Sequence, residues 1–121
     1  VTRAELGRRA ELAVADFLFA HGFDVLARNL RLGRLELDVI ARKQALLVVT
    51  EVRTRGPGAY QRAFESVSWT KRARLLKAVD RLWARRGTLA RGIERVRIDV
   101  ASVTFAGGET RIEYVPAALS R

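Results

Sequence analysis

The sequence predicts an α/β domain in which a mixed β-sheet carries packed helices, with elements in the order α-β-β-β-α-β-β. Three observations lead there. Two amphipathic stretches of helical period are separated by three segments of strand character. The segment "ALLVVTEVRT" (45–54) is apolar on both faces through Val49, which marks a central strand. Near the end, Gly107-Gly108-Glu109 joins two strand-like runs with a hairpin signal.

Taken in order, "RAELGRRAELAVADFLFAH" (3–21) places Leu6, Ala10, Ala13, Val14, Phe17 and Leu18 at helical spacing, and Gly22 supplies the stop. "FDVLARNLRL" (23–32) alternates loosely and suits a strand before a turn at Gly33-Arg34. "LELDVIAR" (35–42) alternates cleanly, with Leu35, Leu37, Val39 and Ala41 expected on one side and Glu36, Asp38 and Ile40 on the other. After the central strand, "RGPGAYQRAFES" reads as a loop. A second helix is expected over 68–86, capped by Ser68 and stopped by Gly87. Its buried stripe is predicted to be Trp69, Leu76, Val79, Leu82 and Trp83, with basic residues around it. Strands over 94–106 and 110–116 complete the set.

The chain has 121 residues, enough to bury a core in a single domain spanning 1–121. Hydrophobic residues make up 49% and charged residues 30%, a balance that argues against disorder. The absence of cysteine excludes disulfides and thiolate metal sites. No apolar run nears the roughly 20 residues that cross a bilayer, and no secretory pattern opens the chain, so a cytoplasmic protein without membrane contact is expected. There is no Met, and Val1 reads as an alternative start or a trimmed end.

Lysine and arginine total 23 against 13 acidic residues, a formal net charge of +10. On so short a chain that excess attracts polyanions, nucleic acid first. A genomic bias toward arginine explains why the lysines are only Lys43, Lys71 and Lys77. It does not explain more bases than acids.

Two carboxylates stand out. The strands bearing Asp38 and Glu51 are joined by a short loop around Lys43-Gln44 and should be antiparallel neighbours. A two-residue loop at Gln44-Ala45 sets Asp38 and Glu51 directly opposite, with Cβ atoms roughly 5 Å apart. Two acids that close repel unless a cation lies between them or one holds a proton. An all-oxygen site suits Mg²⁺ or Mn²⁺. Glu36 shares a face with Asp38, and Arg53 shares one with Glu51. Glu11 borders the apolar stripe of the first helix and needs a partner there. The alternative is plain surface pairing of Arg53 with Glu51 or Glu36.

The ordered set "LGRRAELAVADFLFAHGFDVLARNLR", "LELDVIAR", "LLVVTEVRTR", "SVSWTKRARLLKAVDRL" and "RIDVASV" resembles the YraN-like family over residues 6–116. These bacterial proteins are similar to archaeal Holliday junction resolvases, with the restriction-endonuclease-like fold and its PD-(D/E)xK site. The resemblance implies that Asp38 and Glu51 bind the metal, joined by the Val52 carbonyl, with Glu11 as a direct or water-mediated ligand. Glu36 matches the acid before the catalytic aspartate, as ligand or orienting group. Lys71 matches a basic position on the second helix. The implied reaction is phosphodiester hydrolysis in branched or structured DNA, by an endonuclease that works as a dimer.

Arg53 departs from that pattern, since the family usually has lysine there. Arginine stays protonated in practically any site and cannot be a general base, although it can stabilise a phosphoryl transition state. Three readings follow: a nuclease with arginine in a charge-stabilising role, a nuclease that uses Lys71, or a nucleic-acid-binding module without cleavage. DNA is expected ahead of RNA. Arg55, Tyr60, Arg62, Lys71, Arg74 and Lys77 are the expected nucleic-acid contacts, with Tyr60 as the base-stacking candidate. His21 reads as a helix-end group, Trp69 and Trp83 as core, and Gly107-Gly108 as a turn rather than a phosphate cradle.

Overall fold

A capped helix opens the chain. In the computed structural model, which describes residues 1–55, 69–85, 87 and 91–119, α1 spans Arg3–Ala20. Thr2 Oγ1 accepts from the Glu5 N–H at 3.1 Å, and the Thr2 N–H donates to Glu5 Oε2 at 3.2 Å. Two of the helix's orphan donors are thereby satisfied reciprocally. At the other end His21 is the C-cap, and Gly22 takes a left-handed conformation at φ 86°. That conformation lets the chain turn away from the helix axis. Lys43 Nζ donates to the His21 carbonyl at 3.1 Å, a cation on the negative end of the helix.

Five strands follow: β1 (Asp24–Leu32), β2 (Leu35–Lys43), β3 (Leu46–Arg55), β4 (Arg95–Ala106) and β5 (Glu109–Leu119), with α2 (Trp69–Ala84) between β3 and β4. They form one sheet in the order β1-β2-β3-β4-β5. Neighbours are antiparallel except β3 and β4, which are parallel and joined by the α2 crossover. The mixed sheet and the element order are those read from the sequence. The β4–β5 hairpin turns at Gly107 and Gly108, both at positive φ (58° and 78°). A tight turn of this kind requires that conformation.

The helices cover opposite faces. Leu75, Ala78, Val79 and Leu82 of α2 pack on Leu37, Ile40, Leu47, Val49, Ile98 and Val100. Ala10, Val14 and Leu18 of α1 pack on Val39, Ala41, Ala101 and Val103. With both faces buried, the middle strands read as continuous apolar runs. No helix among the described residues is long and apolar enough to cross a membrane.

Two expectations are corrected. The buried stripe of α2 is Leu75, Ala78, Val79 and Leu82, with Leu76 and Trp83 half-buried at its edge. Trp69 is not part of it: the residue is 81% exposed at the start of the helix. A single apolar residue in a first turn can point either way, and helical spacing alone does not decide it.

The second correction concerns β2. Leu37 and Ile40 face α2, whereas Val39 and Ala41 face α1, so the two-residue alternation slips at Asp38. On β1 the same slip separates Ala27 and Leu30, which both face α2. Asn29 lies between the pairs Arg28–Val39 and Leu30–Leu37, opposite Asp38, at φ 54°. Asn tolerates that left-handed conformation better than most residues, and one such residue turns the pleat over.

Candidate active site

The β2–β3 hairpin has the two-residue loop the sequence predicts, at Gln44-Ala45, with Lys43 paired to Leu46. Its ladder ends at Val39↔Thr50. Beyond that pair β2 continues only with β1, and β3 continues only with β4. The strands fork, and Asp38 and Glu51 stand one step beyond the last pair, neighbours inside the fork rather than the directly opposed ladder pair expected from the loop length.

Glu51 has the parity of Leu47 and Val49, which puts it on the α2 side, and it is only 4% exposed. Lys71, in the first turn of α2, brings Nζ to 2.6 Å from Glu51 Oε1. The contact is a charge pair rather than an aligned hydrogen bond, because the buried Oε1 has no donor at hydrogen-bonding angle. Lys71 is thus a member of the site, not simply a residue on a solvated helix face.

Asp38 occupies the gap between the two faces. Its Oδ2 accepts from the Val52 N–H at 2.8 Å. Its carboxyl is pushed up to about 8, by burial first and by the charge of Glu51 second, with the Val52 N–H opposing. The acid therefore holds its proton near neutral pH and shares it in a hydrogen bond with Glu51. From the α1 side Glu11 reaches the same carboxyl, and the Asn29 side chain beside it favours the charged form of Glu11. Burial, seconded by the nearby Glu36 charge, holds Glu11 above the usual carboxylate range. Ligand oxygens of Glu11, Glu36 and Asp38 lie within 4.8 Å of one another.

The four acids predicted from the sequence thus converge, threaded through the sheet by the pleat slip. Without it Asp38 would be committed to one face and could not touch both Glu11 and Glu51. Asn29, which makes the slip and stands beside Glu11, escaped sequence reading. Its signal was an Asn inside a strand pattern, a residue type that disfavours strands.

On the α2 side the acids open into a cleft of about 390 Å³ lined by Arg34, Leu35, Glu36, Glu51, Thr70, Lys71, Arg74 and Leu75. Its walls combine two carboxylates with three cations. Arg53 has the strand parity of Glu51 and is half-buried, but is absent from the cleft lining. Arg74 lines the cleft, and Lys77 is exposed one turn further along α2. Tyr60, Arg62, the Arg55 side chain and the Ser68 cap lie outside the described residues.

The donor set fits a hard divalent cation. All the side-chain oxygens on offer are carboxylates, and in the chain alone their mutual repulsion is relieved by the proton Asp38 retains and by Lys71 beside Glu51. Val52 contributes its N–H to Asp38, which fixes one carboxylate oxygen and leaves the other to a ligand.

Residues 10–103 match a family model described as "Uncharacterised protein family UPF0102". The chain is 50% identical over 117 residues to the UPF0102 protein sce2912 of Sorangium cellulosum (strain So ce56), covering 96% of this chain and 81% of that protein. A UPF0102 protein of Anaeromyxobacter dehalogenans (strain 2CP-C) is 40% identical over 116 residues, 96% of this chain and 84% of its own length. One of Roseiflexus castenholzii (strain DSM 13941 / HLO8) is 36% identical over 117 residues, 97% and 94% respectively.

Proposed function

The chain belongs to the uncharacterised protein family UPF0102, as its YraN-like motif order indicated, and we propose that it is a metal-dependent endonuclease that hydrolyses phosphodiester bonds in branched or structured DNA. The observation that carries this reading is the convergence of Glu11, Glu36, Asp38 and Glu51 in a sheet fork beside Lys71. The resemblance to Holliday junction resolvases of the restriction-endonuclease-like kind points the same way, and a dimer acting on two strands belongs to the same proposal.

Asp38 and Glu51 would hold Mg²⁺ or Mn²⁺, with Glu11 and Glu36 adjoining and the Val52 carbonyl as a further oxygen donor. The ion would supply Lewis-acid polarisation of a phosphoryl oxygen and a more acidic water. Lys71 Nζ offsets negative charge beside Glu51 and offers donors to a water or a phosphate oxygen. Arg53 cannot exchange a proton, so its contribution is fixed positive charge. Arg34 and Arg74 give the cleft walls affinity for the flanking phosphates. The net charge of +10 favours the same polyanion at longer range.

The test is cleavage of a four-way junction, a flap and a single strand in Mn²⁺ by wild type and Glu51→Ala. Cutting by the wild type that disappears in Glu51→Ala, with DNA still bound, is the expected result. Arg53 favours a second reading, a binding module without cleavage. Its signature is equal, metal-independent DNA binding by both proteins and no cutting by either.

A further inference from the structure

The sequence assigns Trp69 to the core, yet it is the most exposed large hydrophobic side chain among the described residues apart from Val1. It sits at the first residue of α2, next to Thr70 and Lys71, which line the cleft. One turn on, the Arg72 guanidinium lies over its ring at 4.7 Å from the centroid, a cation–π contact at helical spacing. Arg72 Nε is buried without a hydrogen-bond partner among the described residues, and the guanidinium packs against the ring.

An indole held from one side by a cation and open on the other has the properties of a stacking platform. Exposing that much apolar surface costs free energy in water, and a flat aromatic partner recovers it. The surroundings select the partner's charge: Arg34, Lys71 and Arg74 on the cleft walls attract a phosphate backbone. An aromatic face beside cations is the chemistry of an unpaired nucleic-acid base attached to its phosphate. A paired base inside a duplex keeps its faces stacked on its neighbours and cannot use such a platform.

We propose that Trp69, oriented by Arg72, stacks an unpaired base next to the phosphate held in the cleft, and so directs the site to single-stranded segments such as flaps or strand-exchange points. The inference rests on the reading of the cleft as a phosphodiester site.

Binding in EDTA separates the two, because no cleavage enters. Fluorescence anisotropy would compare a labelled oligothymidylate with a duplex of equal length, using wild type, Trp69→Ala and Trp69→Phe. Trp69→Ala is expected to weaken oligothymidylate binding about tenfold and leave duplex binding within about twofold, with Trp69→Phe close to wild type. In a Trp83→Phe background, the only remaining tryptophan should be quenched by oligothymidylate and not by duplex. Equal losses on both ligands, no loss on either, or no binding by wild type would each overturn the proposal. So would a change in sedimentation of Trp69→Ala, which would give the indole to a second copy of the chain. If wild type cuts DNA but Trp69→Ala binds oligothymidylate normally, the stacking role fails and the nuclease stands. Selective binding with no cleavage by wild type is the reverse outcome.

Discussion

Asp38 is the residue on which the site's electrostatics turn. Its carboxyl stands at about 8 in the folded chain against 3.8 when free, so the folded state keeps a proton that the unfolded chain has lost. By linkage, stability of the metal-free protein should fall as pH rises from about 4 to about 8. Asp38→Asn keeps an oxygen for the Val52 N–H but removes the titration. Its stability should fall much less across that window, with Glu11 as the remaining raised acid, and exceed wild type at pH 8 by several kcal/mol. Mn²⁺ should raise the wild-type melting temperature at pH 8, where proton competition is weakest, much more than at pH 5. Urea melts across the pH series check both; parallel profiles for wild type and variant would remove the buried carboxylate pair from the account. At this scale the sequence was informative about Asp38 and Glu51, because hairpin register follows from a two-residue loop. It was silent on how far Lys71 reaches, since a helix's docking angle on a sheet depends on packing that no local pattern encodes.

At the scale of elements, β4 and β5 carry a polar network beneath the core. Asp99 is fully buried and accepts from Arg97 Nε (2.9 Å) and Nη2 (3.0 Å), from the Tyr114 hydroxyl (2.5 Å) and from the Ala117 N–H (2.8 Å). Tyr114 in turn meets Thr50 Oγ1 at 2.9 Å, one residue before Glu51. Burial and the neighbouring carboxylate push the Tyr114 phenol up, so it stays neutral, donating its proton to Asp99 and accepting from the Thr50 hydroxyl. The register shift between Ile98 and Val100 and the left-handed Ala117 (φ 54°) bring these groups together. Asp99→Ala leaves Arg97, Tyr114 and the Ala117 amide without their shared acceptor, and should cost about 3 kcal/mol. A drop in the urea midpoint at unchanged slope is the signature; a change below about 0.5 kcal/mol would make the network incidental. None of this was legible in "RIDVASV", where Asp99 looks like one polar position in an alternating strand. The strands and both helices were legible because their periods differ. The pleat slip at Asn29 was not, because one backbone angle is invisible to a hydrophobic pattern.

Across the whole molecule, the charge excess and the acidic fork make opposite demands on a polyanion. Net +10 would draw a phosphate backbone in, while the acids of the fork would weaken its hold at short range where no divalent cation offsets them. DNA affinity should therefore rise with added divalent metal at constant ionic strength, and fall steeply with monovalent salt. With about four phosphate contacts, the log–log slope should lie near about −4, and Arg74→Ala should reduce its magnitude by about 1. Titrations over a range of KCl give this number directly; a slope near zero would deny the backbone contacts. Composition made the nucleic-acid expectation readable from the chain alone. The position of the cleft was not readable, because it depends on α2 covering the fork after the crossover.

The most direct measurement is the rate of single-turnover cleavage of a four-way junction in Mn²⁺ by wild type, Lys71→Ala and Arg53→Lys. If the acids and the helix lysine form one site, Lys71→Ala should lose on the order of a hundredfold and Arg53→Lys should stay near wild type. A silent wild type that gains activity with Arg53→Lys, or cleavage untouched by Lys71→Ala, would contradict it.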